Sequence, residues 1–158
     1  MSIDRVREYL KDYGVADRIR EFPVSSATVE LAAAAIGCAP GRIAKTLSFL
    51  LGSDAVLVVA AGDARIDNAK YKVQFGAKAK MLTPEQVESM VGHAVGGVCP
   101  FAVHDGTAVY LDASLRRYET VFPAAGSSNS ALELRLDELE ACSRAKGWVD
   151  VCKVPDPA

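Results

Sequence analysis

Lys45-Thr46-Leu47-Ser48-Phe49-Leu50-Leu51-Gly52-Ser53-Asp54-Ala55-Val56-Leu57-Val58-Val59-Ala60-Ala61 consists of two apolar runs around a Gly-Ser-Asp turn signal. Short runs rich in Leu and Val on either side of such a turn predict a β-hairpin, with strands at Lys45–Leu51 and Ala55–Ala61. Neither run alternates cleanly between apolar and polar residues, so both strands are expected to be buried on two faces.

Upstream, Ser2 can cap a helix whose apolar positions Ile3, Val6, Leu10 and Tyr13 follow helical spacing, with Gly14 suited to its end. A second helix follows Ser25-Ser26 and runs through Val29, Leu31 and the alanines to Gly37, and Pro40 opens a short helical turn toward Arg42 and Ile43. Downstream, Asp67 can cap a helix through Tyr71, Val73 and Phe75, ended by Gly76. Thr83-Pro84-Glu85-Gln86 has the form of a capping box with proline at the first helical position, so a further helix should run to about Met90. The stretch Val91–Phe101, with three glycines and a proline, fits neither helix nor regular strand. Strands are then expected at Ala108–Asp112, Glu119–Pro123 and Ala131–Leu136, before a last helix capped by Asp137. The predicted fold is a mixed α/β single domain over 1–154. Its sheet is mainly antiparallel and curled or barrel-like, its helices pack outside, and Pro155–Ala158 forms a loose tail.

Bulk composition narrows the function. The chain has 158 residues, 50% of them hydrophobic and 24% charged, which suits one globular domain. A formal net charge of −2 argues against a general nucleic-acid coat protein, because such affinity comes from many Lys/Arg–phosphate contacts, and no DNA partner is expected. Arg65, Lys70, Lys72, Lys78 and Lys80 cluster, as do Arg42 and Lys45, so a local basic surface remains open beside the plainer reading of a solvated face. The longest wholly apolar stretch, Ala55–Ala61, is too short to span a membrane. Cys38, Cys99, Cys142 and Cys152 form no C-x-x-C pair, so neither a metal site nor a cofactor is announced. With no signal peptide in evidence, reduced thiols and a cytoplasmic location are expected.

The candidate chemistry lies in two places. Gly96-Gly97-Val98-Cys99-Pro100-Phe101 contains G-x-x-x-P, in which glycines let backbone N–H groups approach a ligand closely and proline fixes the exit; it can equally be a tight connection. Lys45 stands at a strand entrance, where it can bind a phosphate or carbonyl, act as a base if buried, or simply snorkel. No Ser/His/Asp constellation emerges: Ser127 and Ser128 after Gly126 do not form G-x-S-x-G. Cys99 is the cysteine to test as a nucleophile, against its plainer reading as a small buried apolar residue. His93 reads as a loop or core-edge histidine. Asp63 reads as a cap, and Asp112 as either a cap or a ligand contact.

Taken together, Ser26-Ala27-Thr28-Val29-Glu30, Arg42-Ile43-Ala44-Lys45-Thr46-Leu47, Gly62-Asp63, Gly96–Phe101 and Ala124-Ala125-Gly126-Ser127 occur in the order and approximate spacing of the YbaK/EbsC family, which the chain resembles over nearly its whole length. That family is similar to the editing insertion domain of bacterial prolyl-tRNA synthetase. The resemblance implies hydrolysis of the ester joining a small amino acid, such as alanine or cysteine, to the 3′ acceptor end of a mischarged tRNA, with an aminoacyl-tRNA synthetase as a further partner and no cofactor. It implies a catalytic role for Lys45 and for the Gly96 and Gly97 amides as oxyanion donors. It further implies a substrate-binding role for Thr28, Thr46, Val98, Cys99, Pro100, Phe101, Gly126 and Ser127. Cysteine-clearing members carry a serine before the glycine pair and an aspartate a few residues later. Ala125 and Ala131 at those places point toward the branch that handles alanine or other small amino acids.

Overall fold

The computed structural model describes residues 2–155, so the tail expected from Pro155 lies, but for that residue, outside the described residues. In chain order the strands are β1 (Arg20–Glu21), β2 (Ile43–Leu51), β3 (Asp54–Ala61), β4 (Arg65–Ile66), β5 (Ala108–Asp112), β6 (Thr120–Pro123), β7 (Ser130–Ala131), β8 (Leu134–Arg135), β9 (Gly147–Val149) and β10 (Cys152–Lys153). The helices are α1 (Ser2–Lys11), α2 (Val29–Ile36), α3 (Asn68–Phe75), α4 (Pro84–Gln86, continued by a wide π-type turn over Val87–Val91) and α5 (Leu136–Ser143).

The hairpin is the centre of a curled, open sheet of order β8-β6-β2-β3-β5-β9. β2 and β3 pair antiparallel from Ala44↔Ala61 to Leu51↔Asp54, and β6 and β8 are also antiparallel. β2–β6, β3–β5 and β5–β9 are parallel. Two small antiparallel pairs, β1–β7 and β10–β4, form separate two-stranded sheets. β3 is buried on both faces from Ala55 to Ala61, as expected. Each of its Val and Leu side chains contributes on the order of 1.5–3 kcal/mol by leaving water.

β2 departs from that expectation. Its residues Lys45, Thr46 and Leu47 are only partly buried, because its second edge is covered at the two ends alone. β6 pairs with Ile43 and Ala44, and the segment at Lys80–Leu82 returns at the far end, where Leu50 N–H donates to Lys80 O (2.7 Å) and Leu82 N–H donates to Ser48 O (3.1 Å). The sheet is therefore split along the middle of β2.

Local chemistry explains the remaining boundaries. α2 starts at Val29 because Thr28 Oγ1 accepts from Leu31 N–H (3.2 Å), while Ser25 and Ser26 instead bond to Ser128 O. The capping box at Thr83 and Gln86 and the Asp67 cap form as expected. α5 begins one residue before Asp137. Glu138 Oε1 accepts from the Arg135 N–H (3.0 Å), and Asp137 pairs with the Arg135 guanidinium instead of capping. The strand expected at Ala131–Leu136 is bent into β7 and β8, which pair with different partners.

Two close approaches set the site's frame. Gly62, just after β3, lies so near the Pro40–Arg42 turn that a Cβ there would stand 2.2 Å from Pro40 O and 2.7 Å from Val29 Cγ1. Gly62→Ala is expected to lower unfolding stability in urea by about 1–3 kcal/mol through forced displacement of backbone. Gly147→Ala, which meets nothing within 4 Å, should change it by less than about 0.5 kcal/mol.

Candidate active site

A cleft of about 340 Å³ opens over the uncovered stretch of β2. Its floor is Ala44, Thr46 and Ser48, which alternate onto one face of the strand. Thr28 and Val29 at the start of α2 form one wall, Val95, Gly96 and Val98 a second, and Ala124, Ser130 and Ala131 a third. Most of the lining is apolar, with a few hydroxyls and one lysine, the usual make-up of a small-ligand site.

Lys45 borders this cleft, and its ammonium donates to Gly62 O (3.3 Å) and Ala64 O. Burial holds its pKa below the ordinary lysine range. Three N–H groups are available to an ammonium, so one remains after these two bonds. The neighbouring Asp63 is not a free base: Arg117 grips it at 2.5 and 3.1 Å and holds its carboxyl below the usual carboxylate range.

The glycine loop is organised differently from the sequence expectation. Gly97 N–H donates to Ala94 O (3.0 Å), closing a tight turn, so it is already occupied and its assignment as an oxyanion donor is corrected. Gly97 serves packing instead: a Cβ there would lie 2.9 Å from Ser127 Cα and 3.0 Å from Ser127 N. Among the described residues, the N–H groups of Gly96 and Val98 have no hydrogen-bond partner, and both residues line the cleft. Gly96 has φ of +97°, a conformation glycine adopts without strain.

Several expected substrate contacts lie elsewhere. Cys99 and Phe101 are fully buried beneath the loop, and Pro100 faces a separate surface recess. Burial pushes the Cys99 thiol up to about 12, and its Sγ lies 3.6 Å from His93 Nε2, a ring nitrogen that also sits 2.7 Å from Phe101 O. His93 is itself buried, and desolvation lowers its pKa, so the pair forms no activated thiolate. Gly126 and Ser127 lie behind the loop: Gly126 accommodates Ser2 O and Val6 Cγ2 of α1, and the Ser127 hydroxyl lies 2.6 Å from that of Ser130. Ala131 does line the cleft, but Ala124 rather than Ala125 does so beside it. Asp112 is a buried structural acceptor for the N–H groups of Ser114 (2.8 Å) and Val151 (2.9 Å).

Ser48 and the rim residues Met81 and Val95 also line the cleft, beyond the residues that the sequence motifs mark. The two-residue step from Thr46 would have found Ser48, but the rim residues carry no local signal. Among the described residues there is no group of three or more His, Cys, Asp or Glu placed to hold a metal, and no helix is long and apolar enough to cross a membrane.

The aminoacyl-tRNA editing domain family matches residues 24–142, the span that contains every wall of the cleft. An uncharacterized protein of Bacillus subtilis strain 168, YwhH, is 51% identical over 154 residues, covering 97% of this chain and 98% of its own. The proline–tRNA ligase of Nitratidesulfovibrio vulgaris strain DP4 is 32% identical over 102 residues, which are 63% of this chain and 18% of the ligase. Among solved structures, one described as a candidate trans-editing enzyme for prolyl tRNA synthetase superposes with a TM-score of 0.86 at 31% identity, covering 96% of this chain and 97% of that one. The hypothetical protein APE2540 gives 0.83 at 29% identity, covering 94% and 99%. The chain belongs to the aminoacyl-tRNA editing domain family. Within it, the fold is that of the YbaK-like domains related to the editing domain of prolyl-tRNA synthetase.

The burial of Cys99 makes a direct prediction. In the folded protein it should resist alkylation by iodoacetamide while half-buried Cys38 reacts, and it should become labelled only in denaturant; peptide mass mapping reads the difference.

Proposed function

We propose that the protein is a trans-acting deacylase that hydrolyses tRNA mischarged with a small amino acid, working in the cytoplasm where tRNA is charged. The observation that carries this reading is that Lys45, Gly96 and Val98 line one small cleft, the two loop N–H groups having no partner among the described residues, in a chain of the editing family.

The reaction joins water to the ester: a C–O bond forms between the water oxygen and the aminoacyl carbonyl carbon, and the bond to the ribose oxygen breaks. One water proton goes to that ribose oxygen, and the free amino acid leaves as a carboxylate, releasing the other. Lys45 holds the terminal ribose or ester oxygen with its remaining N–H. The Gly96 and Val98 amides receive the negative charge that develops on the carbonyl oxygen, a contribution typically worth ~10²–10³ in rate for each donor. Because the ester is already activated, fixing it beside water and these donors suffices without a side-chain nucleophile. The start of α2 adds favourable partial charge at the cleft's edge. The small volume limits the cargo, with Ala124 and Ala131 leaving room beside Phe122.

A second reading is favoured by one feature: among the described residues no His, Asp, Glu or Cys borders the cleft, so none of them there is an evident proton acceptor. In that reading the protein binds aminoacyl-tRNA, or a synthetase carrying it, without turnover.

A panel of alanyl-, cysteinyl-, seryl- and 2-aminobutyryl-tRNA separates the two. Release of amino acid from at least one, reduced ~10²-fold or more by Lys45→Ala in a protein with unchanged circular dichroism, supports the deacylase. Intact esters throughout, with tRNA affinity equal in wild type and Lys45→Ala, support the binding module. The pH dependence has a definite sign. Burial lowers the Lys45 pKa, so its ammonium discharges, and rate above spontaneous hydrolysis falls, at a pH below the ordinary lysine range; Lys45→Arg should move that alkaline fall upward.

A further inference from the structure

Two polar side chains on the floor of the cleft have nothing to bond to. Thr46 Oγ1 is buried and has no partner among the described residues, and the Ser48 hydroxyl, which is not fully buried, makes no hydrogen bond there either. The other hydroxyls that line the cleft are engaged: Thr28 Oγ1 accepts from Leu31 N–H, the Ser26 hydroxyl donates to Ser128 O, and that of Ser130 accepts from Ser127 at 2.6 Å. A buried hydroxyl without a partner costs about 1–3 kcal/mol, so its retention in a site calls for a reason. Among the described residues Tyr71 Oη is the other buried unpaired side-chain atom, but it belongs to α3, its ring 5.0 Å from Phe49 and 4.8 Å from Phe75, and borders no part of the cleft.

The backbone reinforces the pattern. Leu50 and Ser48 direct main-chain groups to the outer edge of β2, and the two-residue period carries the N–H and C=O of Thr46 to that same edge. There β6 has already ended at Ala44 and the returning segment has not yet begun. Thr46 therefore combines an unpaired side chain with unpaired main-chain groups at one point, two positions from a second unpaired hydroxyl on the same face. Around them stand Ile43, Leu82, Val87, Val98 and Phe122, which offer no hydrogen bonds from their side chains. An apolar ligand would leave both hydroxyls stranded, whereas a ligand with a short hydroxyl of its own would satisfy them.

We propose that Thr46 and Ser48 form a hydroxyl-recognising subsite, by which the cleft takes a β-hydroxy amino acid, serine or threonine, in preference to alanine. This rests on the reading of the cleft as the aminoacyl site. It assigns specificity to side chains on the strand floor, separately from the Lys45 and loop-amide groups assigned to the ester. A site that hydrogen-bonds a substrate hydroxyl discriminates against the analogue lacking it more strongly than an apolar pocket discriminates by size.

The test uses adenosine carrying seryl, threonyl or alanyl groups through a non-hydrolysable 3′-amide, titrated calorimetrically into the intact protein, alongside deacylation of the three esters on one tRNA. The seryl or threonyl analogue is expected to bind ~10-fold or more tightly than the alanyl one. That ratio should fall toward one in Thr46→Val and part of the way in Ser48→Ala. Since Thr46→Val replaces an unpaired hydroxyl by a methyl group of the same shape, its melting temperature should not drop. Equal affinities, tighter alanyl binding, binding of none of the three, or a ratio that survives both substitutions would overturn the subsite. So would a marked loss of stability in Thr46→Val, which would reveal a structural partner. Selective binding with no ester cleaved would uphold the subsite and remove the deacylase reading. Cleavage of all three at one rate with equal binding would do the reverse.

Discussion

The structure depends on the unequal treatment of the two edges of β2. On one side the strand is paired with β3 along its length; on the other it is covered only at its ends, by β6 and by the segment around Met81. A strand in this position must leave backbone groups uncompensated over its middle residues, and a buried, uncompensated N–H or C=O is costly. The protein meets that cost by keeping the gap as a cleft, walled by the start of α2, the loop at residues 95–98 and the turn at residues 124–131. The site is thus a consequence of how the sheet is put together rather than an addition to it.

The walls are held by the first helix as much as by one another. The Ser2 hydroxyl bonds His93 Nδ1, Arg5 bonds Gly92 O, and Gly126 leaves room for Ser2 O and Val6. One helical turn thereby braces both the loop that carries Gly96 and the turn that carries Ser127. Gly97 completes the frame where the two loops meet, since no side chain fits against Ser127. Rigid support of this kind is what backbone donors need, because they act only where they have been placed in advance.

Much of this was legible from residue order. The hairpin, the helix caps at Asp67 and Thr83 and the helix-ending glycines Gly37 and Gly76 each carry a local signal, and each element formed within a residue or two of its expected place. The split in the sheet carries none, since which strand covers which edge depends on partners far away in the chain. For the same reason the sequence marks Glu119–Pro123 as a strand but not as a parallel neighbour of β2, and β9 and β10, short and held by pairing, carry no local signal. At the site, Lys45, Thr46, Thr28, Gly96 and Val98 meet in the cleft. The motif's remaining residues, Gly97 and Cys99–Phe101, shape the loop from behind. A contiguous motif does not say which of its amides are spent on its own turn.

Under the proposed reading of the cleft, a division of labour between loop and strand would have a consequence for selection. Groups that bind an ester would meet the same ester in every aminoacyl-tRNA, so they would give rate without discrimination. Size offers little more, because one methylene in an apolar pocket is worth only about 1–3 kcal/mol. In a cleft of about 340 Å³ lined by Ala44, Ala124 and Ala131, exclusion by bulk sets an upper limit on the cargo but cannot rank the amino acids below it. Ranking among the small ones has to come from polar groups that are satisfied by one side chain and stranded by another. The floor of β2 is where such groups are found, on the face exposed by the same gap that created the cleft.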